Sequence, residues 1–120
     1  MSNYKSPENV DGYLKVYSGL AHPMRIKIIG VLWEGRRHVS ELAKMLEISR
    51  PLLYMHLKKL EEAEMVSSSY EISESGKSMR YYKVNDFIIL ITPPMLADLA
   101  KAIPLPLKAK ENSTNNSTDG

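Results

Sequence analysis

The sequence of 120 residues contains no cysteine. This absence excludes disulfide bonds, thiolate metal sites and cysteine nucleophiles, and it fits a reducing compartment. No apolar run approaches the roughly 20 residues that a membrane-spanning helix needs. The N-terminal stretch MSNYKSPENVDG also lacks the apolar core of a signal peptide. We therefore expect a cytoplasmic protein without a membrane segment.

The sequence also lacks a strong excess of either charge, because it has 16 basic residues and 14 acidic ones. Any contact with nucleic acid must therefore come from local clustering of basic side chains. The sequence has no glycine-rich phosphate loop, no nucleophile paired with a base and no set of metal ligands beside its glutamates Glu61, Glu62 and Glu64. These absences argue against an enzyme, and we predict no cofactor.

What the sequence does contain is a well-marked helix over residues 49–63. Its apolar residues recur at helical spacing and define a buried stripe: Leu53, Leu57 and Leu60. Ser49 is a favourable N-cap, and Pro51 lies where its missing N–H costs nothing. The positive charge of Arg50 lies in the first turn, where the helix dipole disfavours it. This placement is explained if the N-terminal end of the helix faces an anion. His56 lies beside the stripe, and we expect a packed, hydrogen-bonded side chain.

A short helix is predicted just before this one, with Ser40 as its N-cap. Only residues 47–50 separate the two helices. So tight a connection is typical of a helix-turn-helix, in which the first helix braces the second across the major groove of DNA. Apolar periodicity predicts three further helices over residues 10–20, 23–34 and 93–103, the last capped by Thr92.

Alternating polar and apolar residues predict a β-hairpin over residues 66–84 that would form a wing beside the helix-turn-helix. Its tip and return strand carry the basic residues Lys77, Arg80 and Lys83. Such residues would be favourable where the wing passes the phosphate backbone of DNA. We expect the run FIILI, residues 87–91, to extend the hairpin strand until the prolines stop it. The fold class is therefore mainly α with a small β-hairpin (α+β), a winged helix-turn-helix.

This organisation predicts one winged-helix domain for DNA binding and dimerisation over residues 9–103. Residues 1–8 are polar and are expected to form a flexible arm. Residues 104–120 are low in hydrophobic side chains after Leu107, and we expect a disordered tail.

Contacts with DNA are predicted for exposed residues of the two helices and of the wing. The candidates are Ser40, Ser49, Arg50, Pro51, Tyr54, Met55, Lys58, Lys59, Lys77 and Arg80. Arg50 and Tyr54 are suited to base edges, whereas the lysines are suited to phosphates. Arg25 lies in the first turn of its helix, again against the dipole, and could hold either a phosphate or a partner carboxylate.

Four segments carry a resemblance to a known family: LAHPMRIKIIGVL, HVSELAKML, ISRPLLYMHLKKLEEAEMV and SGKSMRYYKV. Over roughly residues 13–86 the chain resembles the ArsR family of winged-helix transcriptional regulators. The resemblance implies a homodimer that binds double-stranded DNA, with two recognition helices on half-sites about one helical turn apart. It also implies that the flanking helices form the dimer interface, with Tyr13, Leu14, Tyr17, Met95, Leu96 and Leu99 as candidates.

The sequence departs from this family at the metal sites that many members carry. Such members sense metals through cysteines in the helix corresponding to residues 41–46, or through aspartate and histidine in the terminal helix. Here ELAKML has no cysteine, and Asp98 has no histidine near it. We therefore predict no metal site of these kinds, and the sequence assigns no effector.

Two functions fit these observations. The first is a sequence-specific homodimer that acts as a repressor by occluding a promoter. The alternative is a winged-helix module that docks on another protein through the apolar stripe of the final helix without reading DNA. The weak net charge and the acidic end of the recognition helix support the alternative. Binding to DNA that weakens steeply with added salt would separate the two.

Overall fold

Five helices and three strands lie in the described part of the chain, residues 6–107 of a computed structural model. In chain order they are α1 (Val10–Leu20), α2 (Pro23–Trp33), β1 (Arg37–His38), α3 (Val39–Leu46), α4 (Arg50–Glu62), β2 (Val66–Ile72), β3 (Ser78–Val84) and α5 (Pro93–Lys101). Most of the predicted arm and tail, residues 1–5 and 108–120, falls outside the described residues. None of the described helices is both long and apolar enough to span a membrane.

The chain forms two compact units that divide between Ile89 and Leu90. The first unit holds α1 to α4 and the sheet, and the second holds α5. The mainly α fold with a winged hairpin is confirmed. The predicted bounds of α1 and of the whole hairpin, and the predicted start of α5, are those observed.

The core of the first unit lies between α2, α3, α4 and the base of the sheet. The predicted stripe of α4 is fully buried there. The largest side chains excluded from solvent are Ile28, Leu42, Leu53, Leu57, Leu60, Met65 and Tyr82. Burial of each leucine contributes about 1.5–3 kcal/mol to the stability of the fold. These side chains therefore fix one side of α4 against the core, and most of the rest of its surface is exposed.

The sheet is antiparallel with the strand order β1–β3–β2. The hairpin register pairs Val66 with Val84 at the base and Ile72 with Ser78 at the tip. The third strand, β1, pairs Arg37 with Tyr82. Sequence periodicity missed β1 because two residues show no alternation.

The run at residues 87–91 does not extend the hairpin, so this prediction was wrong. The partner strand β2 begins at Val66, directly after the turn that follows α4, and it leaves no backbone to pair with beyond Val84. The N–H of Asn85 bonds instead to the carbonyl of Met65 at 2.8 Å. The side chains of Phe87 and Ile89 then pack against the core without a strand.

The N-cap of α3 also differs from the prediction. The helix begins at Val39 with His38 as its N-cap, two residues before the predicted Ser40, because Nδ1 of His38 accepts the N–H of Glu41 at 3.3 Å. Ser40 therefore lies inside the first turn, and its hydroxyl is free to bond elsewhere. The helix ends at Leu46, and Glu47, the C-cap, has a left-handed conformation with φ 58°. This conformation turns the chain sharply toward α4.

Close packing of α1 on α4 depends on Gly19, and this contact gives a first testable prediction. A Cβ at Gly19 would lie 2.8 Å from the Cβ of Ala63. Gly19→Ala is therefore expected to lower the free energy of unfolding by about 1–3 kcal/mol through overpacking. At Gly30 a Cβ meets nothing within 4 Å, so Gly30→Ala should stabilise by about 0.5–1 kcal/mol. Thermal unfolding followed by circular dichroism tests both, and an equal response at the two glycines would contradict the prediction.

Candidate nucleic-acid interface

The N-terminal half of α4 is exposed and is held in place by α3. The hydroxyl of Ser49 caps the helix by accepting the N–H of Leu52 at 3.3 Å, which confirms the predicted cap. Arg50 donates from Nη2 to the hydroxyl of Ser40 on α3. This contact joins two predicted DNA-binding residues, one from each helix of the helix-turn-helix. Both residues are exposed at the N-terminal ends of their helices.

An exposed side of α4, next to the buried stripe, carries a column of basic and aromatic side chains. Arg50, Tyr54 and Lys58 follow one another at intervals of four residues, so they share one side of the helix. Tyr54 is 41% exposed, and both charged residues are exposed. Eight predicted DNA-binding residues outside the wing are exposed, as is Lys77 at the wing tip; the eight are Ser40, Ser49, Arg50, Pro51, Tyr54, Met55, Lys58 and Lys59. We call Arg50, Tyr54 and Lys58 the α4 column.

Arg25 lies in the interior, and the structure does not place it for a phosphate. Its side chain is only 9% exposed. Nε donates to the carbonyl of Gly19 at 2.9 Å, Nη2 to the carbonyl of Ser18 at 3.1 Å, and Nη1 to Nδ1 of His56 at 3.0 Å. The expected phosphate or carboxylate contact is thus replaced by an internal one, because all three nitrogens already have acceptors within the fold.

His56 is packed and hydrogen-bonded, as predicted. It is 3% exposed, and its ring centroid lies 4.5 Å from that of His22. Burial, together with the neighbouring His22 and Arg25, lowers the pKa of His56. The ring is therefore neutral at neutral pH, and its Nδ1 can accept the hydrogen bond from Arg25.

In the wing, Arg80 is engaged by neighbouring side chains. Its Nη2 lies 3.5 Å from Oε2 of Glu61 on α4, and its Nε donates to the hydroxyl of Ser68 at 3.2 Å. The guanidinium carbon lies 5.0 Å from the Tyr82 ring centroid and 5.6 Å from that of Tyr70. Half-buried in this way, Arg80 connects the wing to α4.

Sequence reasoning missed Arg36, which contacts the other side of the wing. Arg36 donates to both carboxylate oxygens of Glu71 on β2, with Nη2 at 3.0 Å from Oε1. Its guanidinium carbon lies 4.2 Å from the centroid of the Tyr81 ring. No local sequence pattern could have revealed this contact, because Arg36 and Glu71 are 35 positions apart in the chain.

Apolar side chains remain exposed on both helices predicted for the dimer interface. On α1, Leu14 is 55% exposed, and the half-buried rings of Tyr13 and Tyr17 lie 6.3 Å apart. In the second unit no residue of α5 is buried. Leu96 is 43% exposed there, with Met95 and Leu99 half-buried. Within residues 6–107, no three His, Asp or Glu side chains are grouped so as to hold a metal ion.

Comparison with known proteins adds a family and a fold. Residues 22–68 match the family described as bacterial regulatory protein, arsR family. An uncharacterised HTH-type transcriptional regulator of Methanocaldococcus jannaschii is 37% identical over 86 residues, which cover 72% of this chain and 90% of that protein.

Two solved structures share the fold. The first is the homodimeric winged helix-turn-helix DNA-binding domain, fragment 1–100, of a possible ArsR-family regulator from Mycobacterium bovis. It is 20% identical with a TM-score of 0.56, and the match covers 78% of this chain and 72% of that one. The second, NolR from Sinorhizobium fredii, is 20% identical with a TM-score of 0.54, and the match covers 82% and 93%.

Proposed function

The chain belongs to the ArsR family of helix-turn-helix transcriptional regulators, and from that premise we propose that it is a homodimeric repressor that reads a palindromic operator. In this proposal α4 enters the major groove, α3 braces it, and the wing formed by β2 and β3 passes along the phosphates. Two copies would read half-sites about one helical turn apart. Occupancy of a promoter by the dimer would exclude the polymerase.

The observation that carries the proposal is the α4 column. The buried stripe fixes α4 to the core, while all three residues of the column stay exposed and so are free to meet a DNA groove. Arg50 can form two parallel hydrogen bonds to a guanine, and Tyr54 offers an apolar ring and a hydroxyl. Lys58 and Lys59 add charge for phosphates. A module that only docks on protein would leave this column without a role.

Support for the homodimer comes from the apolar side of α5. Leu96 and Leu99 follow at an interval of three residues, and α5 buries neither. An apolar side of this kind is stable in water when a second surface covers it. A second copy of the chain is the proposed cover, and the Mycobacterium bovis domain that shares the fold is described as homodimeric.

The proposal is tested by selecting bound duplexes from a randomised DNA pool at two salt concentrations. We expect enrichment of a palindrome whose half-sites are about 10 base pairs apart. Affinity should fall steeply with added salt because several phosphates are neutralised. No enriched sequence, with weak retention of all duplexes, would contradict the repressor and favour the protein-docking alternative.

Arg50→Ala is expected to weaken operator binding roughly 5- to 150-fold, corresponding to about 1–3 kcal/mol, and to relax the preference at one base pair. The matched variant is Lys58→Ala, which removes one charge from the same column. It should weaken binding to all sequences alike and reduce the salt slope by about one for each half-site. Titrations of the operator and of single-base variants measure both effects. An equal loss on every sequence for Arg50→Ala would refute its base-reading role.

A further inference from the structure

The outer half of the wing has little core to hold it. Val66 and Tyr82 are buried at the base of the hairpin, whereas β2 is exposed from Ser69 to Ile72. A two-stranded hairpin is at best marginally stable in water by itself. The position of the wing tip, with Lys77, therefore depends on contacts made by side chains along the hairpin.

One such contact lies on the side of the hairpin that carries Glu71 and Tyr81. Arg36, which precedes β1, donates to both oxygens of Glu71 and stacks on the ring of Tyr81. His38 packs edge-on against the same ring, with centroids 5.6 Å apart at 89°. The hydrogen bond from Arg36 lowers the pKa of Glu71 and keeps its carboxylate ionised. A planar guanidinium that is both paired and stacked has little freedom to turn.

The contact of Arg80 with Glu61 lies on the opposite side of the hairpin, because Tyr70 and Arg80 form one cross-strand pair and the adjacent residues point the other way. The two arginines therefore fix the hairpin from its two faces. Arg36 joins it to the segment that leads into α3, and Arg80 joins it to α4. The wing is thus tied to both helices of the helix-turn-helix.

We propose that Arg36 and Glu71 form a positioning pair, which holds the wing in the orientation from which its tip meets DNA. This inference rests on the proposed function, because it assigns a task within DNA binding to two residues outside the α4 column. Both side chains are about half exposed, so the pair adds little to global stability. The pair instead orders the wing before DNA binds. The free energy of binding is then not reduced by the entropy cost of ordering the wing.

The competing explanation is that Arg36 itself contacts a phosphate and that Glu71 merely neighbours it. The two explanations give opposite signs for Glu71→Gln. Loss of a negative charge beside a phosphate contact should strengthen DNA binding. Loss of the positioning pair should weaken DNA binding, although the wing becomes more positive.

The experiment combines two measurements on the full chain. The first is ¹⁵N relaxation of the wing amides without DNA, and the second is operator affinity. The variants are Glu71→Gln, Arg36→Gln and the exchange Arg36→Glu with Glu71→Arg. The control is Glu74→Gln, which removes the same charge from the hairpin turn.

Both single variants of the pair should increase fast motion of residues 70–80 and weaken binding by roughly three- to tenfold, as expected when an element must be ordered on binding. The exchange should restore wing order and most of the affinity. Glu74→Gln should leave wing order unchanged and bind as tightly as the unaltered chain or more tightly.

Unchanged wing motion in Glu71→Gln, or tighter binding as in the control, would overturn the positioning pair. The relaxation measurement uses no DNA. If no operator exists, the proposed function fails while the wing order in these variants still decides whether the pair holds the hairpin.

Discussion

Arg25→Met is expected to lower the free energy of unfolding by about 2–6 kcal/mol, because it leaves two buried acceptors without a donor and each costs about 1–3 kcal/mol. The substitution removes the donor from the carbonyl of Gly19 and from Nδ1 of His56, whereas the carbonyl of Ser18 keeps the N–H of Ala21 at 3.1 Å. These acceptors lie at the end of α1 and on α4, whereas Arg25 lies on α2. One side chain thus joins three helices, and methionine can replace only its packing.

Urea unfolding followed by circular dichroism measures the change. The control is Lys27→Met, which makes the same kind of substitution at an exposed position of α2 and should stay within about 0.5 kcal/mol of the unaltered chain. A double-mutant cycle with His56→Ala should show that the two losses are not additive, because both variants break the same hydrogen bond. A cost below about 1 kcal/mol for Arg25→Met would mean that water replaces the lost donor.

Apolar periodicity in the sequence was sufficient to predict the helices and the hairpin. The stripe of Leu53, Leu57 and Leu60 placed α4 correctly because a helix with one apolar side has only one way to face a core. The hairpin followed from alternation, which requires the same two faces along the whole strand. Both patterns are local, and local patterns are what a single sequence displays.

The prediction failed where a residue's partner lies far away in the chain. A charged residue in a first turn was expected to be exposed, but Arg25 is buried because His56, 31 positions later, provides an acceptor in the interior. Residues 87–91 had the composition of a strand, but β2 left them no partner. In the candidate interface, exposure of the α4 column could be predicted from periodicity. The contacts of Arg36 and Arg80 could not, because their partners come together only in the folded sheet.

The second large effect concerns the apolar side of α5. Leu96→Glu is expected to abolish the proposed dimer and to weaken binding to the full palindrome by ~10²–10⁴-fold, because two linked half-sites gain that factor from avidity. Leu96 is already 43% exposed, so the substitution costs a single chain little. In a homodimer, however, each copy would have to bury a carboxylate against an apolar surface, and this is costly without a paired charge.

Ala97→Glu is the matched control, because one residue further along the helix the same charge projects from the side of α5 away from Leu96 and Leu99. It should leave both the dimer and operator binding intact. Analytical ultracentrifugation gives the mass, and titration with a full palindrome and with a single half-site gives the affinities. Half-site affinity of the Leu96→Glu chain should equal that of the unaltered chain, because α4 is untouched. If that chain were monomeric and still bound the palindrome at full strength, the homodimeric reader would be wrong; if it stayed dimeric, the interface would lie away from α5.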